Sequence, residues 1–223
     1  MKHIKKMEKI NLEAIQKAFN TLQTVKDTFS KKGWFPATSG NLSVRVKGPP
    51  LEKNQSIIAI TSSGKDKSIH TPEDYILVNM DGSLVLPSNL KPSAETLIHT
   101  TIYQQIPNCQ AVFHVHTIPN NLISELYADQ GKVTFINHEI IKAFDIWKED
   151  ASITIPIVEN YFSIPRLAEE ISKVIQPEVP GVLIRNHGIY VWGDSDFTAK
   201  RHLEAFEFLF EYQMNMYFLK KFK

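Results

Sequence analysis

Two histidines one residue apart, His114-Val115-His116, lie at the end of the short apolar run from Ala111 to His116. In a strand, side chains two positions apart leave from the same face, so both imidazoles converge on one point. Rings held that close are accommodated either by a shared cation, since imidazole is a common ligand of zinc, iron, nickel and copper, or by separate backbone and solvent partners. A third histidine, His187 in Arg185-Asn186-His187-Gly188, falls at the seam between two apolar runs, where a strand end can present it. Three neutral nitrogen ligands leave a fourth position open, as a catalytic metal requires. Alone, His187 reads equally well as a turn residue. His3, His70 and His202 carry less, His202 because its neighbours Lys200 and Arg201 point to a solvated face.

Two carboxylates and two loops are the other chemical candidates. Glu95 sits in the first turn of a helix expected to be capped by Ser93, with His99 one turn later on the same face. A first-turn glutamate also simply complements the helix dipole. Glu139, in Asn137-His138-Glu139-Ile140-Ile141-Lys142, is flanked by apolar residues, which places it at an exposed edge or in a site. The stretches Thr38-Ser39-Gly40-Asn41 and Thr61-Ser62-Ser63-Gly64-Lys65 each join hydroxyls to a glycine that lets backbone N–H groups approach an anion, and Lys65 adds a cation. The second loop is not a P-loop, because Ala59 stands where the first glycine of that motif belongs.

The elements that must position these residues follow from periodicity. Met7 to Lys32 reads as an amphipathic helix stopped by Gly33, and Asn41–Val46 and Ser56–Thr61 as strands joined through Gly48-Pro49-Pro50. Thr71-Pro72-Glu73-Asp74 has the composition of a helix start, and Val78 to Leu86, split by Asp81-Gly82, that of a hairpin. A helix is expected to Gln105, a strand over Ala111–His116, a strand over Ser152–Val158 and a helix over Pro165–Ile175. Asn137–Phe144 is ambiguous between strand and helix. Val182 to Trp192 forms two apolar runs around Asn186-His187-Gly188, and Ser195 opens a last helix over Asp196–Phe218 with aromatic residues along one side. Tight turns between strands predict a mixed or antiparallel sheet with helices on its faces.

Composition narrows the class. The 223 residues include 43% hydrophobic and 22% charged residues, an ordinary globular composition. Lys and Arg number 25 against 24 Asp and Glu, without the cationic excess a nucleic-acid binder needs. A single cysteine, Cys109, excludes an internal disulfide and a cysteine-built zinc cluster. The basic N-terminus lacks a following apolar segment, and no run approaches the ~18 residues of a membrane span, so a cytoplasmic protein is expected. No repeat or linker divides the chain, which favours one domain over residues 1–223.

Four segments in order, Gly33-Trp34-Phe35-Pro36-Ala37-Thr38-Ser39-Gly40-Asn41-Leu42-Ser43, Lys91-Pro92-Ser93-Ala94-Glu95-Thr96, His114-Val115-His116-Thr117 and Arg185-Asn186-His187-Gly188, resemble the class II aldolase/adducin family. Within it, the W-x-P-A-T-S-G-N opening, the N-H-E-x-x-K-A run ending at Ala143 and the closing G-x-Y-V-W-G are most similar to members that dehydrate a ketose 1-phosphate. The nearest rivals are aldolases or 4-epimerases acting on a pentulose or fuculose phosphate. The resemblance implies an α/β fold, a three-layer α/β/α single domain with a largely antiparallel central sheet, assembled as a homotetramer with sites near subunit interfaces. It implies one Zn²⁺ per subunit held by His114, His116 and His187. Glu139 corresponds to the proton shuttle of the dehydratases and Glu95 to the acid/base or metal neighbour of the aldolases, although some dehydratases carry cysteine there. Ser39, Gly40, Asn41, Ser63, Gly64, Lys65 and Ser93 correspond to substrate and phosphate ligands, so the implied partner is a small sugar phosphate rather than nucleic acid or membrane. A non-catalytic module like the adducin head shares the fold, but the three histidines and both carboxylates argue against it.

Overall fold

The computed structural model describes residues 12–47 and 56–221, so the Gly48-Pro49-Pro50 turn and the expected start of the first helix lie outside the described residues. Helix α1 (Leu12–Lys31) buries Ala18, Leu22, Val25 and Phe29, spaced by fours and threes along one stripe. Gly33 ends it at φ +71°, with Gly33 N–H donating to Ser30 at 2.9 Å and Trp34 N–H to Phe29 at 3.1 Å, the paired bonds of a Schellman stop.

Among the described residues, eight strands form one sheet: β1 (Asn41–Arg45), β2 (Ile57–Thr61), β3 (Tyr75–Asn79), β4 (Ala111–Val115), β5 (Lys132–Ile136), β6 (Ser152–Val158), β7 (Gly181–Ile184) and β8 (Gly188–Gly193). Their order is β3-β2-β1-β4-β8-β7-β6-β5, antiparallel throughout except where β6 pairs with β7. One face packs under α1, α3 (Ile118–Leu126) and α5 (Asp196–Lys221), burying Leu42, Phe113 and Val191 with Phe29, Phe206 and Phe210. The other packs under α2 (Thr96–Gln105) and α4 (Ile164–Val174), burying Val112, Tyr190 and Trp192 with Ile102, Leu167 and Ile171. The α/β expectation of helices flanking a largely antiparallel sheet is met. No helix among the described residues is long and apolar enough to cross a membrane.

Several local expectations need correcting. Thr71-Pro72-Glu73-Asp74 starts no helix. The Asp74 carboxylate accepts from Thr71 N–H at 3.1 Å and Thr71 Oγ1 at 2.7 Å, closing a turn that leads into β3, and it pairs with buried Lys26 at 2.5 Å. Ser93 does not cap α2: the N-cap is Glu95, and Ser93 forms the preceding turn, its hydroxyl accepting from Glu95 N–H at 3.3 Å. The hairpin after β3 shrinks to a bridge between Val78 and Leu84 around Gly82. The ambiguous Glu139–Phe144 segment is a 3₁₀ helix. His202 is buried, with Nδ1 at 2.9 Å from the Trp192 carbonyl. The aromatics of α5 divide: Phe206 and Phe210 enter the core, whereas Phe208, Tyr212, Tyr217 and Phe218 are exposed.

Candidate metal centre and active site

Antiparallel register builds the first half of the site. Asn41 on β1 pairs with His114 on β4, which pairs with Tyr190 on β8, so the three side chains stand in a row on the α2 face. The His114 ring stacks on Tyr190 with centroids 4.0 Å apart. His116 follows two residues on, and the two rings lie 4.6 Å apart with Nε2 atoms separated by 2.8 Å. The alternation predicted from H-x-H is therefore realised.

His187 reaches the pair from the β7–β8 turn. Asn186, at φ +50°, reverses the chain, and the turn is fastened to α3. Arg185 forms a two-pronged pair with Glu125 at 2.6 and 2.9 Å, Asn186 Nδ2 donates to Glu125 at 2.6 Å, and Asn121 Nδ2 donates to the His187 carbonyl at 3.1 Å. Beneath this, Thr117 caps α3 in a capping box, and the Thr117 hydroxyl and Asn120 amide donate to buried Glu207 at 2.6 and 2.8 Å. Gly188 must be glycine, because a Cβ there would stand 2.4 Å from the Val115 carbonyl and 3.0 Å from both His114 and His116.

The ligand atoms of His114, His116 and His187 fall within 4.8 Å of one another. His114 Nδ1 lies 2.9 Å from the Ile189 carbonyl, which can only accept, so the proton of the neutral ring is on Nδ1 and the Nε2 lone pair faces the cluster. His187 Nδ1 faces Asn160 Oδ1 at 3.2 Å with the same consequence. Glu95, at the N-cap of α2, brings Oε2 to 3.4 Å from His114 Nε2 and Oε1 to 3.1 Å from His187 Nε2. Burial lowers the pKa of His114 to about 3 and of His116 to about 2, leaving both neutral at pH 7. Burial also opposes the charge on Glu95, against which the Asn41 amide, donating at 2.6 Å, favours the carboxylate. Lone pairs and carboxylate oxygens aimed at one point repel unless a cation lies among them. The donor set fits a divalent metal, whose bonds to histidine run ~2.0–2.1 Å for zinc.

The expected anion loops border this cluster unequally. Ala37 and Thr38 adopt left-handed φ of +50° and +65°, turning the chain so that Gly40 passes within contact of His114. A Cβ on Gly40 would meet the His114 carbonyl at 2.7 Å. The Ser39 hydroxyl oxygen is buried without a hydrogen-bond partner among the described residues. The Ser63-Gly64 turn runs beside Lys91-Pro92-Ser93, with Ser63 N–H donating to Lys91 at 2.9 Å and Ser93 N–H to Thr61 at 3.2 Å. Lys65 directs its ammonium to Glu73. Lys67, unremarked in the sequence, is the buried cation here: it donates to the Thr38 carbonyl at 2.8 Å, and burial lowers its pKa to about 8. Glu139 is not brought to the cluster within one chain. It is 82% exposed and paired with Lys142 at 2.6 Å, beside a separate depression lined by His138, Phe208 and Tyr212. An adjoining cleft of about 480 Å³, lined by Pro36, His116, Ile118, Asn160 and His187, gives access to the histidines.

The sequence singles out none of Asn160, Asn121 and Glu207, which brace the histidines rather than join them, and it places His99 on the Glu95 face without a role. Only Asn41 and Ser43 carried a usable signal, being polar at alternate positions of a strand whose Leu42 and Val44 are core.

Comparison with known proteins agrees with the geometry. Residues 20–214 match the class II aldolase and adducin N-terminal domain. A protein of Persephonella marina named methylthioribulose-1-phosphate dehydratase is 54% identical over 208 residues, 93% of this chain and 94% of its own. One of the same name from Geobacillus kaustophilus is 48% identical over 210 residues, covering 94% and 97%. Among solved structures, the L-fuculose-1-phosphate aldolase of Thermus thermophilus superposes with a TM-score of 0.71 at 19% identity, covering 92% of this chain and 98% of that one, a likeness of fold alone. The chain belongs to the class II aldolase and adducin N-terminal domain family.

Proposed function

We propose that the protein dehydrates 5-methylthioribulose 1-phosphate to 2,3-diketo-5-methylthiopentyl 1-phosphate, with Zn²⁺ as cofactor, in methionine salvage. The observation that carries this is the convergence of three histidines and Glu95 on one point in a chain about half identical to proteins named for that reaction. A divalent cation held by His114, His116 and His187 supplies Lewis-acid stabilisation to the electron pair left when a proton departs beside a carbonyl. Ser39, Gly40, Asn41, Ser63, Gly64, Lys65 and Ser93 frame the substrate and its phosphate, fixing which carbon meets the base. Glu139 removes the C3 proton and returns a proton to the leaving C4 hydroxyl, so that one water is lost and the enol relaxes to the diketone. Glu95 remains an anion beside the ligands.

Because Glu139 stands off the cluster within one chain, this role requires a second copy to bring it there, in keeping with a homotetramer whose sites lie near interfaces. The test is complementation. His114→Ala and Glu139→Gln are each expected to be inactive, and assemblies unfolded and refolded together to regain turnover. Full activity of Glu139→Gln alone removes Glu139 from the reaction. A specific observation supports a second reading: Glu95, not Glu139, touches the histidines. Aldol cleavage of a sugar phosphate would use it as acid/base. Mass spectrometry separates the two, since dehydration gives a product lighter by one water and cleavage gives two carbonyl fragments.

A further inference from the structure

His99 has no place in either reaction scheme, yet it is wholly buried one helical turn from Glu95. Its Nε2 contacts Asn41 Oδ1, and its Nδ1 lies 2.7 Å from Ser43 Oγ, which lies 3.0 Å from Tyr103 Oη. Asn41 Nδ2 in turn lies 2.6 Å from Glu95 Oε2. Ser43 and Tyr103 are 0% and 2% exposed and Asn41 5%, so these groups have one another as partners, not bulk water.

We propose that His99 is a positioning residue that fixes Glu95 through a buried hydrogen-bond chain of single polarity, Tyr103 to Ser43 to His99 to Asn41 to Glu95. The direction follows from what each atom can do. A carboxylate only accepts, so Asn41 presents its amine to Glu95 and its carbonyl oxygen to His99. His99 must then donate from Nε2, which leaves Nδ1 an acceptor for the Ser43 hydroxyl. Having donated, Ser43 accepts from Tyr103. The tautomer of His99 therefore selects which end of the Asn41 amide meets Glu95. With the other tautomer, the Asn41 carbonyl would face the carboxylate oxygen and push it from the histidines. Lying between α2 and β1, the chain also ties the helix that carries Glu95 to the strand beside His114. It rests on the proposed reading in one respect, that Glu95 stands as an anion beside the histidines while substrate reacts.

Neutron diffraction from crystals of the zinc-loaded full-length protein reads the polarity directly. Deuterium on His99 Nε2 with none on Nδ1 is expected, and deuterium on Nδ1 overturns the proposal. Kinetics read the consequence. His99→Leu is expected to lower kcat on methylthioribulose 1-phosphate about 10–100-fold, as loss of outer partners commonly does, with KM and bound zinc within about twofold of the parent. His99→Gln, which can donate to Asn41 while accepting from Ser43, should recover most of the loss. A merely structural role would lower zinc content and stability in both variants without rescue, and a His99→Leu enzyme of unchanged kcat refutes positioning. Should the parent protein leave this substrate untouched, the functional reading fails, while the neutron result still decides the polarity.

Discussion

Gly188→Ala is the sharpest perturbation of the candidate metal centre, because it adds one carbon and removes no histidine. The new Cβ would lie 2.4 Å from the Val115 carbonyl oxygen, against 3.4 Å for ordinary contact, so β8 and β4 must part by about 1 Å between His114 on β4 and the adjoining strand ends that present His116 and His187. The same carbon would press on His114 Cε1 and His116 Cδ2 at 3.0 Å. Overpacking of this kind costs about 1–3 kcal/mol, which in a chain of this size lowers Tm by roughly 3–10 °C. Displaced imidazoles should weaken zinc binding on the order of 10–100-fold. A competitive chelator titration gives the affinity and calorimetry the melting temperature. Gly131→Ala is the control. Gly131 sits at φ +63° with nothing among the described residues within 4 Å of the added carbon, so the variant should lose about 1–2 kcal/mol to backbone conformation and keep its zinc affinity. Equal zinc affinity in the parent and Gly188→Ala would refute the claim that strand spacing sets the ligand geometry.

Two further outcomes are expected. Lys26→Met leaves buried Asp74 without its cation, a loss of about 3–5 kcal/mol moderated by the Thr71 bonds, and thermal melting should fall accordingly; an unchanged Tm would show that the turn does not depend on the pair. Burial raises Glu207 from 4.5 to about 7. The folded state thus holds this proton more tightly than the unfolded chain, so its contribution is fully present below about pH 4.5 and is lost as pH rises through about 7. At ~1.4 kcal/mol per unit, Glu207→Gln should flatten the decline in unfolding free energy between pH 5 and 8 by about 2–3 kcal/mol in urea titrations. A slope equal to the parent's would remove Glu207 as its source.

The histidine cluster and the class of the fold were legible in the chain because each rests on a local rule. Strand alternation turns His114-Val115-His116 into two rings on one face wherever that strand packs, and Gly33 can stop α1 whatever lies beyond it. Ordered motifs added the family. Local rules failed where a distant partner competed: Thr71-Pro72-Glu73-Asp74 has helix-start composition, but Asp74 bonds back to Thr71 in a turn whose carboxylate is also paired with Lys26, far away in sequence. His202 reads as solvated beside two cations, yet β8 offers it the Trp192 carbonyl. What only the tertiary structure decided is the register across β1, β4 and β8, which sets Asn41 against His114 and so lets Glu95, His99 and Ser43 meet. A hydrogen-bond partner tens of residues away leaves no periodic trace, whereas a ligand two residues away does, because the backbone itself enforces the spacing of the second and only packing enforces the first.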